Sequence, residues 1–147
     1  MRLPFLQELG RSVKQLQHRH HRTLDAGLTK LGTTLAQWDA LRAIGMKPDV
    51  SSHALAELSF MTDQSFGALA SRLEEQGLIT RTPGKGRALC HRLTTSGEEM
   101  LMRGTSVAEQ VLARSFAPLN DSEQAQLLAL LSRLLASGSD EPSDQSA

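Results

Sequence analysis

Apolar residues recur at intervals of three and four along most of this chain. From Leu3 to Leu31 the stripe Leu6, Leu9, Val13, Leu16, His20, Leu24, Leu28 and Leu31 predicts one long amphipathic helix. A domain of this size has no room to bury so long a stripe, so part of it is expected to pack against a second copy of the chain. Gly32 stops the helix, and Thr34 with Gln37 three residues on reads as a capping box opening a second helix. There Ala36, Ala40, Leu41 and Ile44 form the apolar face, and Gly45 and Pro48 end it. "SSHALAELSF" predicts a short third helix capped by Ser51 or Ser52. Thr62 then caps a fourth, "DQSFGALASRLEEQG", with Phe66, Leu69 and Leu73 on one side and Gly77 as its stop. Two helices joined by so tight a turn are a helix-turn-helix candidate.

The period changes once, in "RTPGKGRALCHRLT". Two strand-length runs, "LITRTP" and "RALCHRL", flank Gly84-Lys85-Gly86, which suits a hairpin loop needing positive φ. Alternation in the second run places Leu89, His91 and Leu93 on a packed face and Ala88, Cys90 and Arg92 on an open one. The helical period resumes after Thr94 and runs to about Phe116, with Thr95 and Glu98 as a possible capping box. Pro118 interrupts, and Asn120 with Glu123 caps a Leu-rich sixth helix. The remaining "SGSDEPSDQSA" is polar and expected to be disordered. The pattern divides the chain into a long helix over residues 1–33, the helix-turn-helix and hairpin over 34–94, two further helices over 95–136 and a tail over 137–147.

Charge gives the hairpin its meaning. The 147 residues carry no formal net charge, yet Arg72, Arg81, Lys85, Arg87 and Arg92 face only Glu74 and Glu75 between residues 64 and 92, a local +3. Residues 93–147 hold three arginines against eight carboxylates. A segregated basic segment suits a polyanionic partner whatever the net value. With 39% hydrophobic and 3% aromatic residues, the core is expected to be aliphatic. No uninterrupted apolar run reaches membrane-spanning length, and the first residues meet charges too early for a signal peptide, so a cytoplasmic protein is expected. The lone Cys90 agrees with a reducing compartment.

Helix-turn-helix followed directly by a basic hairpin is the order of a winged helix-turn-helix. The fold expected is mainly α with one small β-hairpin, a winged lobe between long N- and C-terminal dimerisation helices. The fourth helix has the width of a DNA major groove, and the hairpin can reach the neighbouring minor groove or its phosphates. The stretches "LGTTLAQW", "ALAEL", "MTDQSFGALASRLEEQGLI" and "GRALCHRLTTSGEEML" resemble the multiple antibiotic resistance regulator (MarR) family of dimeric bacterial transcription factors. The resemblance implies that the helices of residues 1–33 and 95–136 are dimerisation helices flanking a DNA-binding lobe at 34–94, and that residues 63–76 form the recognition helix, with Thr62, Gln64 and Ser65 facing the groove. It puts Arg87 on the wing arginine of the family's Asp-x-Arg motif. Lys85 stands where that motif has Asp, and Ala68 where arginine is frequent, so phosphate contacts are expected to dominate the affinity. The candidate DNA-binding set is Ser51, Thr62, Gln64, Ser65, Arg72, Arg81, Lys85, Arg87 and Arg92. Arg72 could equally pair with Glu74 or Glu75 in its own helix.

No catalytic motif is present, and neither enzyme activity nor a cofactor is expected. His18 and His21 lie one helical turn apart near Asp25, but zinc needs three or four converging ligands, so no metal site is expected. His20 and Trp38 are each a core residue by default, or part of an effector pocket between dimer arms and lobes. The expected function is a homodimeric regulator, with repression as the expected sign. It would bind a pseudo-palindromic double-stranded operator and be released by a small aromatic effector. A winged-helix protein-docking module and a metal- or Cys90-based sensor are the alternatives.

Overall fold

The computed structural model describes residues 2–84, 86 and 89–137. Six helices and one hairpin follow in order: α1 (Arg2–Thr29), α2 (Leu35–Met46), α3 (Ser52–Leu58), α4 (Asp63–Glu75), β1 (Ile79–Pro83), β2 (Leu89–Leu93), α5 (Thr95–Phe116) and α6 (Asp121–Ala136). The chain divides into two compact units, residues 1–112 and 113–147. Among the described residues no helix is long and apolar enough to cross a membrane.

The first unit is built around α2. Its Ala40, Leu41, Ala43 and Ile44 join Leu55 and Ala56 of α3, Phe66, Ala70 and Leu73 of α4, and Leu78 and Ile79 in one buried cluster. A second cluster, Leu28, Leu35, Trp38 and Ala108, brings α1 and α5 onto the other side of α2, and Leu101 packs against both. The apolar face of α2 therefore includes Leu35 and Trp38, whereas Ala36, expected inside, is exposed. Being buried on two sides, α2 does not follow a single stripe. The stripe of α1 is divided: Leu28 is fully buried and Leu24 partly, but Leu3, Leu6, Leu9 and Val13 remain 49–74% exposed.

Local chemistry fixes the ends of these elements. Thr34 accepts the Gln37 amide hydrogen at 3.1 Å, but the Gln37 side chain does not complete a box; its Oε1 accepts the buried Thr33 hydroxyl at 3.1 Å. Ser51, not Ser52, caps α3 by accepting from the Ala54 amide, and Thr62 caps α4 through the Ser65 amide. Asn120 and Glu123 of the second unit form the full reciprocal box at 2.9 and 3.0 Å. The cap of α5 is Thr94 and not Thr95: its hydroxyl accepts the Gly97 amide hydrogen and donates to the Gly77 carbonyl at 2.6 Å. Gly77 sits at φ +74, where a side chain would be strained, and this lets the Leu78 amide reach back to the Leu73 carbonyl at 2.9 Å. The chain thus turns from α4 into β1 without a linker.

The two strands pair antiparallel, from Ile79 opposite Leu93 to Pro83 opposite Leu89. His91 is buried and Leu93 packs against the core, as the alternation predicts. Leu89 does not follow: it is 40% exposed, because it lies at the far end of the ladder, opposite Pro83 and away from the helices. Cys90 is half-buried.

Candidate nucleic-acid interface

Of the residues expected to meet DNA, Thr62, Gln64 and Ser65 lie at the amino-terminal end of α4 and Ser51 at that of α3, whereas Arg72 lies in the last turn of α4 and Arg81 and Arg92 lie on the strands. At the start of α4, Thr62 Oγ1 accepts the Ser65 amide hydrogen at 3.1 Å and donates its own hydrogen to Ser65 Oγ at 2.9 Å. Ser65 keeps its hydroxyl hydrogen for an outside acceptor. Gln64 beside it is exposed, with a side chain long enough to offer both donor and acceptor to a base edge. Ser51 is exposed at the start of α3. Both helix ends carry unsatisfied backbone donors and a positive dipole end, which favour an anion.

The arginines divide into one that is open and two that are committed. Arg72 is exposed on α4 and pairs with neither Glu74 nor Glu75. Glu74 instead accepts from Arg81 of β1 at 3.0 Å, while the same Arg81 nitrogen reaches the Ser71 hydroxyl at 3.3 Å. The Arg81 side chain is only 20% exposed, and its hydrogen bond holds the Glu74 carboxyl below the usual range. It ties β1 to α4. Arg92 of β2 grips both oxygens of Asp49 at 2.9 and 3.0 Å, across the loop between α2 and α3. Lys85, Arg87 and Ala88 lie outside the described residues.

Behind these pairs, His91 stands on edge against Phe66 of α4, with ring centroids 5.7 Å apart. Burial first, and then the charge of Arg81, hold its imidazole below the ordinary range. The hairpin is therefore anchored to α4 at two points, an ion pair and a ring contact.

One polar arrangement here escaped the sequence reading. His53, the second residue of α3, joins Asp63 Oδ1, at the first residue of α4, through Nδ1 at 2.8 Å. Through Nε2 it meets Glu57 one turn along α3 at 3.1 Å. The His53 to Glu57 spacing of four was a legible signal, but the partner ten residues on was not.

His20 and Trp38 are not brought onto one cavity by any described feature. Trp38 is a core residue: its indole nitrogen donates to the Leu101 carbonyl at 3.4 Å, its ring lies against Gly104, and the Arg42 guanidinium sits 5.8 Å from the ring centroid. His20 is half-exposed on α1. A shallow depression along α1 is lined by His18, His21, Arg22 and Asp25 among others, without either residue. Among the described residues no three His, Cys, Asp or Glu side chains converge as metal ligands do.

Known proteins share this fold. The model of the MarR family matches residues 31–88. The HTH-type transcriptional repressor Rv2887 of Mycobacterium tuberculosis is 31% identical over 113 residues, which cover 76% of this chain and 81% of that protein. The solved complex of Rv2887 with p-aminosalicylic acid has a TM-score of 0.73 and 28% identity, covering 86% of this chain and 97% of the other. The Rv2887 complex with DNA has a TM-score of 0.72 and 26% identity, covering 86% and 96%.

Proposed function

Because this chain belongs to the MarR family of transcription regulators, we propose that it is a homodimeric repressor that binds a pseudo-palindromic operator and leaves it when a small aromatic acid binds. The single observation that carries this reading is the amino-terminal end of α4. Thr62 is spent on the cap there, while Gln64 and Ser65 are left exposed to meet base edges. Arg72, Lys85 and Arg87 take phosphates, Ser51 anchors the start of α3 on the backbone, and Arg81 and Arg92 set the angle of the wing rather than touch DNA. A solved DNA complex of the related Rv2887 supports the partner.

Dimerisation follows from apolar surface that each unit leaves uncovered. Leu3, Phe5, Leu6 and Leu9 of α1 are exposed, as are Leu128, Leu131, Leu134 and Leu135 of α6. A second copy covers such faces at roughly 25 cal/mol for each Å² removed from water. The two recognition helices then meet successive major grooves about 34 Å apart. The effector class is suggested by the p-aminosalicylic acid bound to Rv2887. His20, half-exposed on α1, is the residue proposed to face an aromatic carboxylate in the dimer, while Trp38 stays in the core. Release follows when the ligand favours a lobe spacing that cannot match the operator.

Fluorescence anisotropy on duplex from the region upstream of the gene, against scrambled duplex and across a salt series, tests this reading. Specific binding with a steep salt slope is expected, weakened at least about tenfold in Lys85→Ala/Arg87→Ala because two phosphate contacts are lost. Equal weak binding to both duplexes, unchanged in the double variant, would overturn it.

A further inference from the structure

The amino-terminal end of a recognition helix is the wrong place for an uncompensated carboxylate. Asp63 occupies the first position of α4, between the cap Thr62 and the exposed Gln64, and is itself 67% exposed. Its charge suits the helix dipole but opposes an approaching phosphate. Glu57 adds a second carboxylate, 70% exposed, on the neighbouring α3. His53 stands between them and bonds both, one through each ring nitrogen. A neutral imidazole carries one N–H and can donate to only one of the two; the imidazolium donates to both. The geometry of two simultaneous contacts is therefore that of the protonated ring.

We propose that His53 is a positioning residue of the DNA-binding surface, holding Asp63 and Glu57 back from the phosphates, and that operator binding takes up a proton there. The proposal rests on the reading of α4 as the recognition helix. With His53 protonated the cluster carries one net negative charge at the mouth of the groove; with it neutral, two. DNA brings phosphates toward the same spot and so favours the protonated ring, and by linkage a protonated ring favours DNA. The groups acting on His53 are Asp63 from α4 and Glu57 from its own helix, with the hydrogen bond to Asp63 foremost in lifting its basicity above that of an ordinary imidazole. The other elements packed against α3, namely α2 and β2, supply no charged group acting on it among the described residues. Because all three side chains are solvated, the effect is a modulation of affinity and fades as salt rises.

The experiment is operator anisotropy at constant ionic strength from pH 6 to 8.5, on the full chain, with His53→Gln and His53→Gln/Asp63→Asn. A single linked proton gives at most a tenfold change for each pH unit, so we expect the wild-type dissociation constant to rise about fivefold across the range. His53→Gln should bind like the high-pH wild type throughout, with that rise lost, and Asp63→Asn in the same chain should restore tight binding at all pH values. Circular dichroism melts confirm that each variant is folded. A pH dependence that survives intact in His53→Gln, or a wild type with none, overturns the proposal while leaving operator binding standing. A wild type that prefers no operator at any pH would instead remove the recognition-helix reading, and this one with it.

Discussion

Two phenylalanines six residues apart divide the helix-turn-helix region. Phe66 is wholly buried, with His91 on its edge and the aliphatic cluster of α2, α3 and α4 around it. Phe60 is 91% exposed, in the turn between α3 and α4, and holds a φ of +56 that costs a side-chain-bearing residue about 1 kcal/mol or more. Beside it the Ser59 hydroxyl is buried without a partner, as are Arg81 Nε and His91 Nδ1 where the hairpin meets α4. The same short stretch thus contains a fully buried aromatic ring and a nearly fully exposed one. The difference follows position: the junction behind α4 joins helix and hairpin, whereas the turn in front leads into the end of α4 that is proposed to meet DNA. Apolar burial is concentrated where helix and hairpin meet, and an exposed ring at positive φ is tolerated in the turn before α4.

The comparison breaks most sharply at Phe66. Phe66→Ala should lower the unfolding free energy by about 3–5 kcal/mol, the usual loss for emptying a buried aromatic site, as measured by urea denaturation. His91 loses its ring partner in the same substitution, so the wing should also loosen. Phe60→Ala should cost almost nothing on the same curve. A comparable loss at both positions would mean that the turn is better packed than its exposure implies.

A smaller loss is expected where the base of the wing meets α5. A Cβ built on Gly97 would fall on the Leu78 carbonyl oxygen, backbone that cannot step aside. Gly97→Ala should therefore cost about 1–3 kcal/mol as overpacking does. Gly67, on α4 with nothing within 4 Å of an added Cβ, is the control: Gly67→Ala should gain up to about 1 kcal/mol from helix propensity. Urea midpoints of the two variants moving in opposite directions would place the constraint at the junction rather than along the helix.

How far the sequence foretold this division depends on the range of the interaction. Caps are chemistry across three residues, so Ser51, Thr62 and the Asn120–Glu123 box were legible. Thr94 and Thr95 carry the same hydroxyl, and only the return of β2 beside Gly77 selects the first. The wing itself was legible as a break in helical period, and His91 as its inward residue. Its anchoring was not: helix spacing offered Glu74 to Arg72, but the strand turning back along α4 delivers Arg81 instead. The His53 contact with Asp63 likewise needs α3 and α4 to cross. Leu89 was misplaced because alternation gives a face and not how far the ladder extends beyond the core. Resemblance, rather than periodicity, supplied Gln64, Ser65 and Arg87 with roles.

The turn should yield a gain. Phe60→Gly removes a side chain from a left-handed residue and should raise stability by about 0.5–1 kcal/mol, the relief of φ exceeding the entropy that glycine adds to the unfolded chain. A rise in Tm with unchanged operator affinity would mark Phe60 as a local cost without a role in binding. A rise in Tm with weaker binding would place its ring among the DNA contacts.

The finest distinction lies between two histidines of the same lobe, whose pH effects on stability have opposite signs. His91 is held below the ordinary imidazole range, first by burial and then by Arg81, with Glu74 opposing. The unfolded chain binds a proton more readily at this site than the folded one. Its contribution is present above the unfolded value of about 6.5 and is lost as pH falls through the folded one. His53 is lifted by Asp63 and Glu57, so its contribution is present below about 6.5 and is lost as pH rises through its raised value. Being fully solvated, His53 should leave only a faint trace in thermal melts and declare itself in DNA affinity instead. Melts from pH 8 to pH 5 should therefore fall by a few degrees at the acid end. His91→Gln should flatten that fall, and His53→Gln should leave it nearly unchanged. If His53→Gln flattened it instead, the acid-sensitive element would lie at the recognition surface and not at the junction, and the division between the two regions would fail.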